Sequence, residues 1–132
     1  MILPDLLDKN LDLVICGFAV GETSAARQAY YAGPNNKFWR TLHGVGLTPL
    51  LLMPAEYPRL LEFGIGLTDV AKARAGRDRD IAQTDLDLDE LRRKIERYAP
   101  RYLCFNGKKA AQSFLGRRDV DYGVQRKCIG RT

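Results

Sequence analysis

The sequence predicts an α/β fold with three layers, in which helices lie on both faces of a central parallel sheet. Three short apolar runs of strand length alternate with stretches whose apolar residues recur at helical spacing. That alternation is typical of parallel strands joined by right-handed helical crossovers. The chain has 132 residues, the length of one ordinary domain, so we predict a single domain over residues 1–132.

The first apolar run organises the chain. After a lead-in segment, residues 1–10, we predict a buried strand at Leu11–Cys16, because the run is short and rich in β-branched residues. Gly17 and Gly21 then bracket a turn, and polar residues follow where a helix would begin. Ligands of open α/β sheets bind at the carboxyl ends of the strands, so this turn predicts a ligand site. Its spacing also fits a plain strand–helix connection, since it matches neither the dinucleotide fingerprint nor the P-loop.

The next helix is predicted after Asn36, which can cap it. Its apolar stripe starts at Phe38, and we assign Phe38 and Trp39 to the core. A proline-rich loop follows, and because Pro58 would break any helix begun at Pro54, we predict a short helix only from Pro58 to Phe63.

The second strand is predicted at Gly64–Asp69, followed by a solvated loop over residues 72–80, where charges of both signs show no periodicity. Asp87 and Glu90 resemble a capping box at the start of the clearest helix, which Pro100 ends. The last predicted elements are a strand at Arg101–Phe105 and a helix at Lys108–Leu115.

Composition narrows the class of partner. The net charge of +5, from 21 basic and 16 acidic residues, favours a polyanionic partner. No apolar run approaches a membrane span, and the first residues lack the basic start of a signal peptide. We therefore expect a cytoplasmic protein without a membrane partner.

Cysteine and histidine usage argues against a metal centre. Cys16, Cys104 and Cys128 form no CxxC pair, and Cys16 and Cys104 lie in apolar runs, so we predict that these two are buried, reduced thiols. His43 is the single histidine, which excludes a site with several histidine ligands. We predict no metal and no cofactor.

Residues 17–39 carry a motif string: Gly17-Phe18-Ala19-Val20-Gly21, then Thr23-Ser24, Tyr31 and Pro34-Asn35-Asn36-Lys37-Phe38-Trp39. This string resembles the first motif of the mismatch-specific uracil/thymine DNA glycosylases, the Mug/TDG group of the uracil-DNA glycosylase superfamily. That group has Gly-Ile-Asn-Pro-Gly, a serine pair, an aromatic residue that stacks on the flipped base, and Pro-x-Asn-Arg-Phe-Trp. A weaker likeness at Gly66-Leu67-Thr68 and Asn106-Gly107-Lys108 extends the resemblance over most of the chain.

The resemblance implies a monofunctional DNA glycosylase of base excision repair, which we expect to be a nucleoid-associated monomer with DNA as its partner. Such an enzyme hydrolyses the N-glycosidic bond of uracil, or of a related deaminated or mismatched base, after flipping it out of DNA. It implies that the base is bound by Gly17, Phe18, Ala19, Val20, Gly21, Tyr31 and Asn36. Within that set, Tyr31 is the stacking ring, with its neighbour Tyr30 as the alternative. It further implies that DNA phosphates are contacted by Thr23, Ser24 and Lys108.

The sequence departs from the family at the catalytic position, because the family asparagine falls on Ala19, which has no hydrogen-bonding side-chain atom. Two carboxylates are candidates for holding the attacking water. Asp69 ends the second strand, and adjacent parallel strands present their carboxyl ends to one crevice. Glu22 is the other candidate, although a carboxylate there also suits a helix start. Asp69 capping a turn is an equally open interpretation.

A second departure lies at the end of the chain. The family continues into a fourth strand and a Pro-Ser-Gly-type second motif, which nothing after Cys128 supplies. We therefore expect a C-terminally shortened member with its final strand missing, or a member whose sheet edge another chain completes.

Three functions stay open from the sequence. The first is the glycosylase; the second is a relative that binds lesion DNA but cleaves slowly or not at all. The third is a nucleotide-binding α/β domain, which would bind free nucleotides in the absence of DNA.

Overall fold

In the part of the chain that the structure describes, the sheet has three parallel strands. The computed structural model describes residues 2–77, 81–82 and 86–132. Within them the strand order is β2-β1-β3, with β1 at Leu13–Ala19, β2 at Ile65–Ala71 and β3 at Tyr102–Phe105. Both neighbours pair with β1 in parallel. The predicted parallel α/β fold is confirmed, and each predicted strand overlaps an observed one.

At their carboxyl ends, where the ligand site is predicted, β1 and β2 are longer than the sequence predicted. β1 continues to Ala19 and β2 to Ala71, beyond the predicted ends at Cys16 and Asp69. Gly17 is paired with Asp69 in the ladder, and Ala19 with Ala71. Gly17 therefore belongs to the strand, and placing it in the turn was wrong, because the ladder with β2 holds this glycine in extended backbone.

In the described residues, four α-helices connect and cover the strands: α1 at Glu22–Arg27, α2 at Phe38–Gly44, α3 at Leu88–Tyr98 and α4 at Lys108–Leu115. The start of α3 is as predicted, since the Asp87 side chain accepts a hydrogen bond of 3.0 Å from the backbone N–H of Glu90. Asn36 supports the start of α2 from just outside it, because its Oδ1 accepts from the backbone N–H of Phe38 at 2.9 Å.

A 3₁₀ helix at Pro54–Phe63 replaces the short helix predicted from Pro58. The expected break at Pro58 was wrong. Proline holds φ near the value that a 3₁₀ helix requires, so the tighter helix accepts a residue that an α-helix interior rejects.

Each face of the sheet carries its own core. On one face, Val14, Cys16 and Phe18 of β1 pack with Leu91 and Ile95 of α3 and with Ala110 and Phe114 of α4. On the other face, Ile15 of β1 packs with Tyr30, with Trp39 and Leu42 of α2, and with Leu60 of the 3₁₀ helix. Alternate side chains of β1 thus point to opposite layers, as expected for a strand covered on both faces.

The two outer edges of the sheet differ. Leu6 forms an antiparallel bridge with Leu67, so the lead-in segment lies along β2. In the described part of the chain, β3 pairs only with β1. Cys104 on β3 is exposed, so its predicted burial was wrong, whereas Cys16 on the central strand is buried as predicted. The reason is position, because an edge strand is covered less than a central one.

Candidate active site

A cleft of about 660 Å³ opens at the carboxyl ends of the strands. Its wall includes the whole segment 17–24, which leads from β1 into α1, together with Asp69 of β2 and Asn106, which follows β3. Tyr30, Tyr31 and Asn36 line it as well. The cleft thus gathers every predicted site residue except Lys108, although the role of each stays a prediction.

Asp69 lies at the bottom of this arrangement, directly opposite Gly17 in the β1–β2 register. Its side chain is 3% exposed. A Cβ atom added to Gly17 would lie 2.8 Å from Asp69 Oδ1. The other oxygen, Oδ2, accepts a hydrogen bond from Lys72 Nζ at 3.3 Å. The carboxylate is therefore held by the lysine at one oxygen, while the other lies against the glycine of the cleft wall.

Two opposing effects act on the charge of Asp69. Burial raises the pKa of the Asp69 carboxyl above its ordinary value, and the Lys72 ammonium lowers it, with burial the larger effect. A carboxylate with a raised pKa in a cleft is a better proton acceptor than an exposed one, which suits a general base. Lys72 is 14% exposed, so its placement in a solvated loop was wrong, because two carboxylates hold it inside. Residues 78–80 of that predicted loop lie outside the described residues.

The two tyrosines have different surroundings. Tyr30 is 2% exposed, and its hydroxyl donates to the backbone oxygen of Pro4 at 3.0 Å. Tyr31 is less buried, and its ring stacks on Phe38 with centroids 3.8 Å apart and planes at 19°. One face of the Tyr31 ring is thus covered by Phe38. Tyr31 also has φ of 52°, a left-handed conformation that is uncommon for residues other than glycine.

The Tyr31 hydroxyl is buried and has no hydrogen bond of good geometry among the described residues. Burial raises the pKa of Tyr31, whereas the nearby side chain of Asn106 lowers it. The hydroxyl lies 3.2 Å from the Cβ position of Gly17, on the same wall as Asp69. Leaving a buried hydroxyl without a partner costs free energy, so this oxygen is suited to bonding a ligand in the cleft.

Asn106 is the polar residue that the site prediction missed. It follows β3, and its backbone N–H donates to the backbone oxygen of Cys16 at 2.8 Å, which brings it beside the end of β1. The signal was present in the sequence, because a polar residue directly after a predicted strand lies at the same sheet edge as Asp69. Gly76 and Arg77 also line the cleft and were not predicted.

The start of α1 carries the remaining polar candidates. Glu22 and Thr23 are exposed, and Glu22 lies in the first turn, where a negative charge interacts favourably with the helix dipole. Ser24 is buried, and its Oγ accepts a hydrogen bond of 3.0 Å from the backbone N–H of Ala32. Ser24 thus fixes the loop that carries Tyr31. Its predicted phosphate contact stays a prediction.

Lys108, the first residue of α4, does not line the cleft. Its Nζ lies 4.5 Å from the centre of the Tyr122 ring, and the next lysine, Lys109, lies 4.7 Å from the ring centre of Phe18 in the cleft wall. The basic start of α4 is therefore beside the cleft rather than within it. Among the described residues, no cluster of side chains could hold a metal ion, and no helix is long and apolar enough to cross a membrane.

The fold and the cleft correspond to a known family. Residues 4–131 match the family model described as the uracil DNA glycosylase superfamily, and the chain belongs to that superfamily. It is also similar to a solution NMR structure of a candidate uracil DNA glycosylase from Methanosarcina acetivorans. The two are 26% identical with a TM-score of 0.61, over 87% of this chain and 77% of that one.

Proposed function

We propose that this chain is a DNA glycosylase of the Mug/TDG type, which hydrolyses the N-glycosidic bond of uracil or a related deaminated base flipped out of DNA. Membership of the superfamily supports the reaction class. The observation that carries the proposal is the placement of a buried carboxylate, Asp69, against Gly17 in a cleft whose family catalytic position is Ala19.

The cleft suits a planar, polar base. Gly17 has no side chain, so the backbone of β1 can approach the edge of a base closely. The unpaired Tyr31 hydroxyl and the Asn106 side chain offer polar atoms to pyrimidine oxygens and nitrogens. A flipped base has lost its stacking in the duplex, and the Tyr31 face opposite Phe38 can restore part of it.

Asp69 supplies the chemistry that Ala19 cannot. Water adds to C1′ of the sugar while the bond from C1′ to the base nitrogen breaks, and the electron pair of that bond leaves with the base. Asp69 accepts the proton that the water loses, and its negative charge stabilises the cationic sugar. Glu22 is the weaker candidate for this role, because it is exposed and no hydrogen bond among the described residues fixes its carboxylate.

The direct test is release of uracil from an oligonucleotide that carries one uracil, detected as cleavage of the abasic product by alkali. Single-stranded and mismatched duplex forms of this oligonucleotide are compared. We expect product from the uracil-containing strand, and none from the same sequence with cytosine in place of uracil, which carries no deaminated base. Binding of uracil DNA without product would instead identify a lesion-binding relative. Affinity for free nucleotides without DNA binding would favour the nucleotide-binding domain.

Tyr31 should contribute through its ring. Tyr31→Ala should weaken binding of uracil-containing DNA by about 1–3 kcal/mol, the usual worth of one stack between a base and an aromatic side chain. Tyr31→Phe keeps the ring and removes only the hydroxyl, so it separates stacking from hydrogen bonding. Equilibrium binding of a fluorescent oligonucleotide measures both variants. An unchanged dissociation constant in Tyr31→Ala would remove Tyr31 from the base site.

DNA binding should depend strongly on salt. The net charge of +5 and the basic start of α4 beside the cleft offer contacts to phosphates. The logarithm of the binding constant should fall linearly with the logarithm of the salt concentration. Lys108→Ala should reduce the magnitude of that slope by about one, the contribution of a single phosphate contact. The reduction should be the same for uracil-containing and normal DNA. An unchanged slope would contradict the phosphate role of Lys108.

A further inference from the structure

Asp69 is the inner end of a chain of four charged side chains. Lys72 Nζ lies 3.3 Å from Asp69 Oδ2 and 3.0 Å from Asp5 Oδ1. Asp5 Oδ2 in turn lies 2.6 Å from Lys94 Nζ of α3. None of these side chains is more than 16% exposed. These four charged side chains link the cleft to the first residues of the protein through contacts that are shielded from solvent.

The lead-in segment is attached to β2 and to Lys72 by backbone hydrogen bonds on either side of Asp69, which hold the four charged side chains in place. Leu6 exchanges two hydrogen bonds with Leu67, of 2.9 and 2.8 Å. The backbone N–H of Ile2 donates to the Lys72 backbone oxygen at 3.1 Å. Between these two ties, Asp5 Oδ1 accepts a hydrogen bond of 2.7 Å from Thr68, the residue before Asp69. Asp5 is therefore fixed relative to Asp69 and Lys72.

We propose that Lys72 and Asp5 are positioning residues for Asp69. Lys72 binds Oδ2 and so directs Oδ1 towards Gly17 and the cleft, while Asp5 draws part of the lysine charge away from Asp69. This inference rests on the proposed function, in which Asp69 accepts the proton of the attacking water.

Lys72 and Asp5 must shift the pKa of Asp69 in opposite directions. A carboxylate buried without a cation takes up a proton, because the charged form is poorly solvated there. The Lys72 ammonium opposes this and lowers the pKa of Asp69, whereas the Asp5 carboxylate raises it. Lys94 also lowers it. Other titratable groups of the described residues that interact with Asp69 include Cys16 of β1, Tyr30 and Tyr31.

A purely structural role for these ion pairs predicts something different. If Asp5 and Lys72 only attached the lead-in segment to β2, removing either would lower stability and leave the titration of Asp69 unchanged or shifted the same way. Opposite shifts from the two substitutions can arise only if both charges act on Asp69.

The experiment follows the Asp69 carboxyl carbon by ¹³C NMR as a function of pH in the full chain, with Asp69→Asn to assign the signal. Lys72→Met should move the titration midpoint to higher pH, and Asp5→Asn should move it to lower pH. Lys72→Arg keeps the cation and should restore most of the wild-type midpoint. Arg59→Met is the matched control, since Arg59 forms exposed ion pairs with Glu56 and Glu62 outside the cleft and should leave the midpoint unchanged.

The acidic limb of the pH profile for single-turnover uracil release should move with the NMR midpoint in each variant. Shifts of the same sign, or no shift in a folded Lys72→Met, would overturn the proposal. If Lys72→Met does not fold, Asp5→Asn decides: a shift to lower pH supports the proposal and an unmoved midpoint overturns it. Opposite NMR shifts in a protein that releases no uracil would overturn the proposed function and leave the electrostatic link standing.

Discussion

Asp69→Asn should lower the single-turnover rate of uracil release by about 10²–10⁴-fold, the range that a general base usually contributes. The substitution keeps the size of the side chain and removes its ability to accept a proton. Its effect should fall on the rate and hardly on the dissociation constant for uracil DNA, because proton transfer occurs only in the transition state. Single-turnover kinetics and equilibrium binding of the same oligonucleotide measure the two quantities.

The stability of Asp69→Asn is the control for folding. The raised pKa of Asp69 decides whether the variant should be more or less stable than the wild type. The Asp69 carboxyl is more acidic in the unfolded chain than in the folded one, so its ionisation favours unfolding. The resulting loss of stability grows as the pH rises from the unfolded-state pKa to the folded-state pKa. Removing the charge should therefore leave the melting temperature at neutral pH unchanged or higher. A large loss of stability would mean that inactivity reflects unfolding rather than chemistry.

Two companion variants separate Asp69 from the other candidates. Asp69→Ala with Ala19→Asn should recover part of the rate lost in Asp69→Ala, because the resemblance to the Mug/TDG group implies a catalytic asparagine at this position. Glu22→Gln should have a much smaller effect than Asp69→Asn, since Glu22 is exposed at the start of α1. Wild-type activity in Asp69→Asn would contradict the assignment of the general base.

The parts of the fold that the sequence predicted are those encoded by local pattern. The start of α3 follows from the spacing of Asp87 and Glu90, and α4 has the predicted bounds. Pro58 was misjudged because a proline stops an α-helix but fits a 3₁₀ helix. The local sequence pattern does not distinguish an α-helix from a 3₁₀ helix at this position.

The parts that could not be predicted depend on partners distant in sequence. Lys72 has one of its two carboxylates, Asp69, three residues away, but the other, Asp5, belongs to the lead-in segment, so the sequence around Lys72 does not indicate that it is buried between them. The exposure of Cys104 depends on strand order, which an apolar run does not specify. That Asp69 shares one crevice with residues 17–21, by contrast, followed from one rule about adjacent parallel strands, although the pairing of Asp69 with Gly17 inside the ladder was not predicted.

Gly17→Ala should reduce uracil release by about 100-fold, the size of effect expected when a reacting group is displaced by about 1 Å. The added Cβ would lie 2.8 Å from Asp69 Oδ1 and 3.2 Å from the Tyr31 hydroxyl. Asp69 cannot swing away freely, because it is buried and its other oxygen is bound to Lys72. The methyl group therefore pushes the carboxylate or the tyrosine out of place on the wall where the base would bind.

Gly44→Ala is the matched control for this substitution, because an added Cβ at Gly44, at the end of α2 and outside the cleft, meets no atom within 4 Å. It should keep the wild-type rate, and both variants should keep the circular dichroism spectrum of the wild type. The effect of Gly17→Ala should also depend on Asp69: in the Asp69→Asn background, which already lacks the general base, the same methyl group should cost less than in the wild type. Equal costs in the two backgrounds would show that Gly17 acts on the base alone and not through the Asp69 carboxylate.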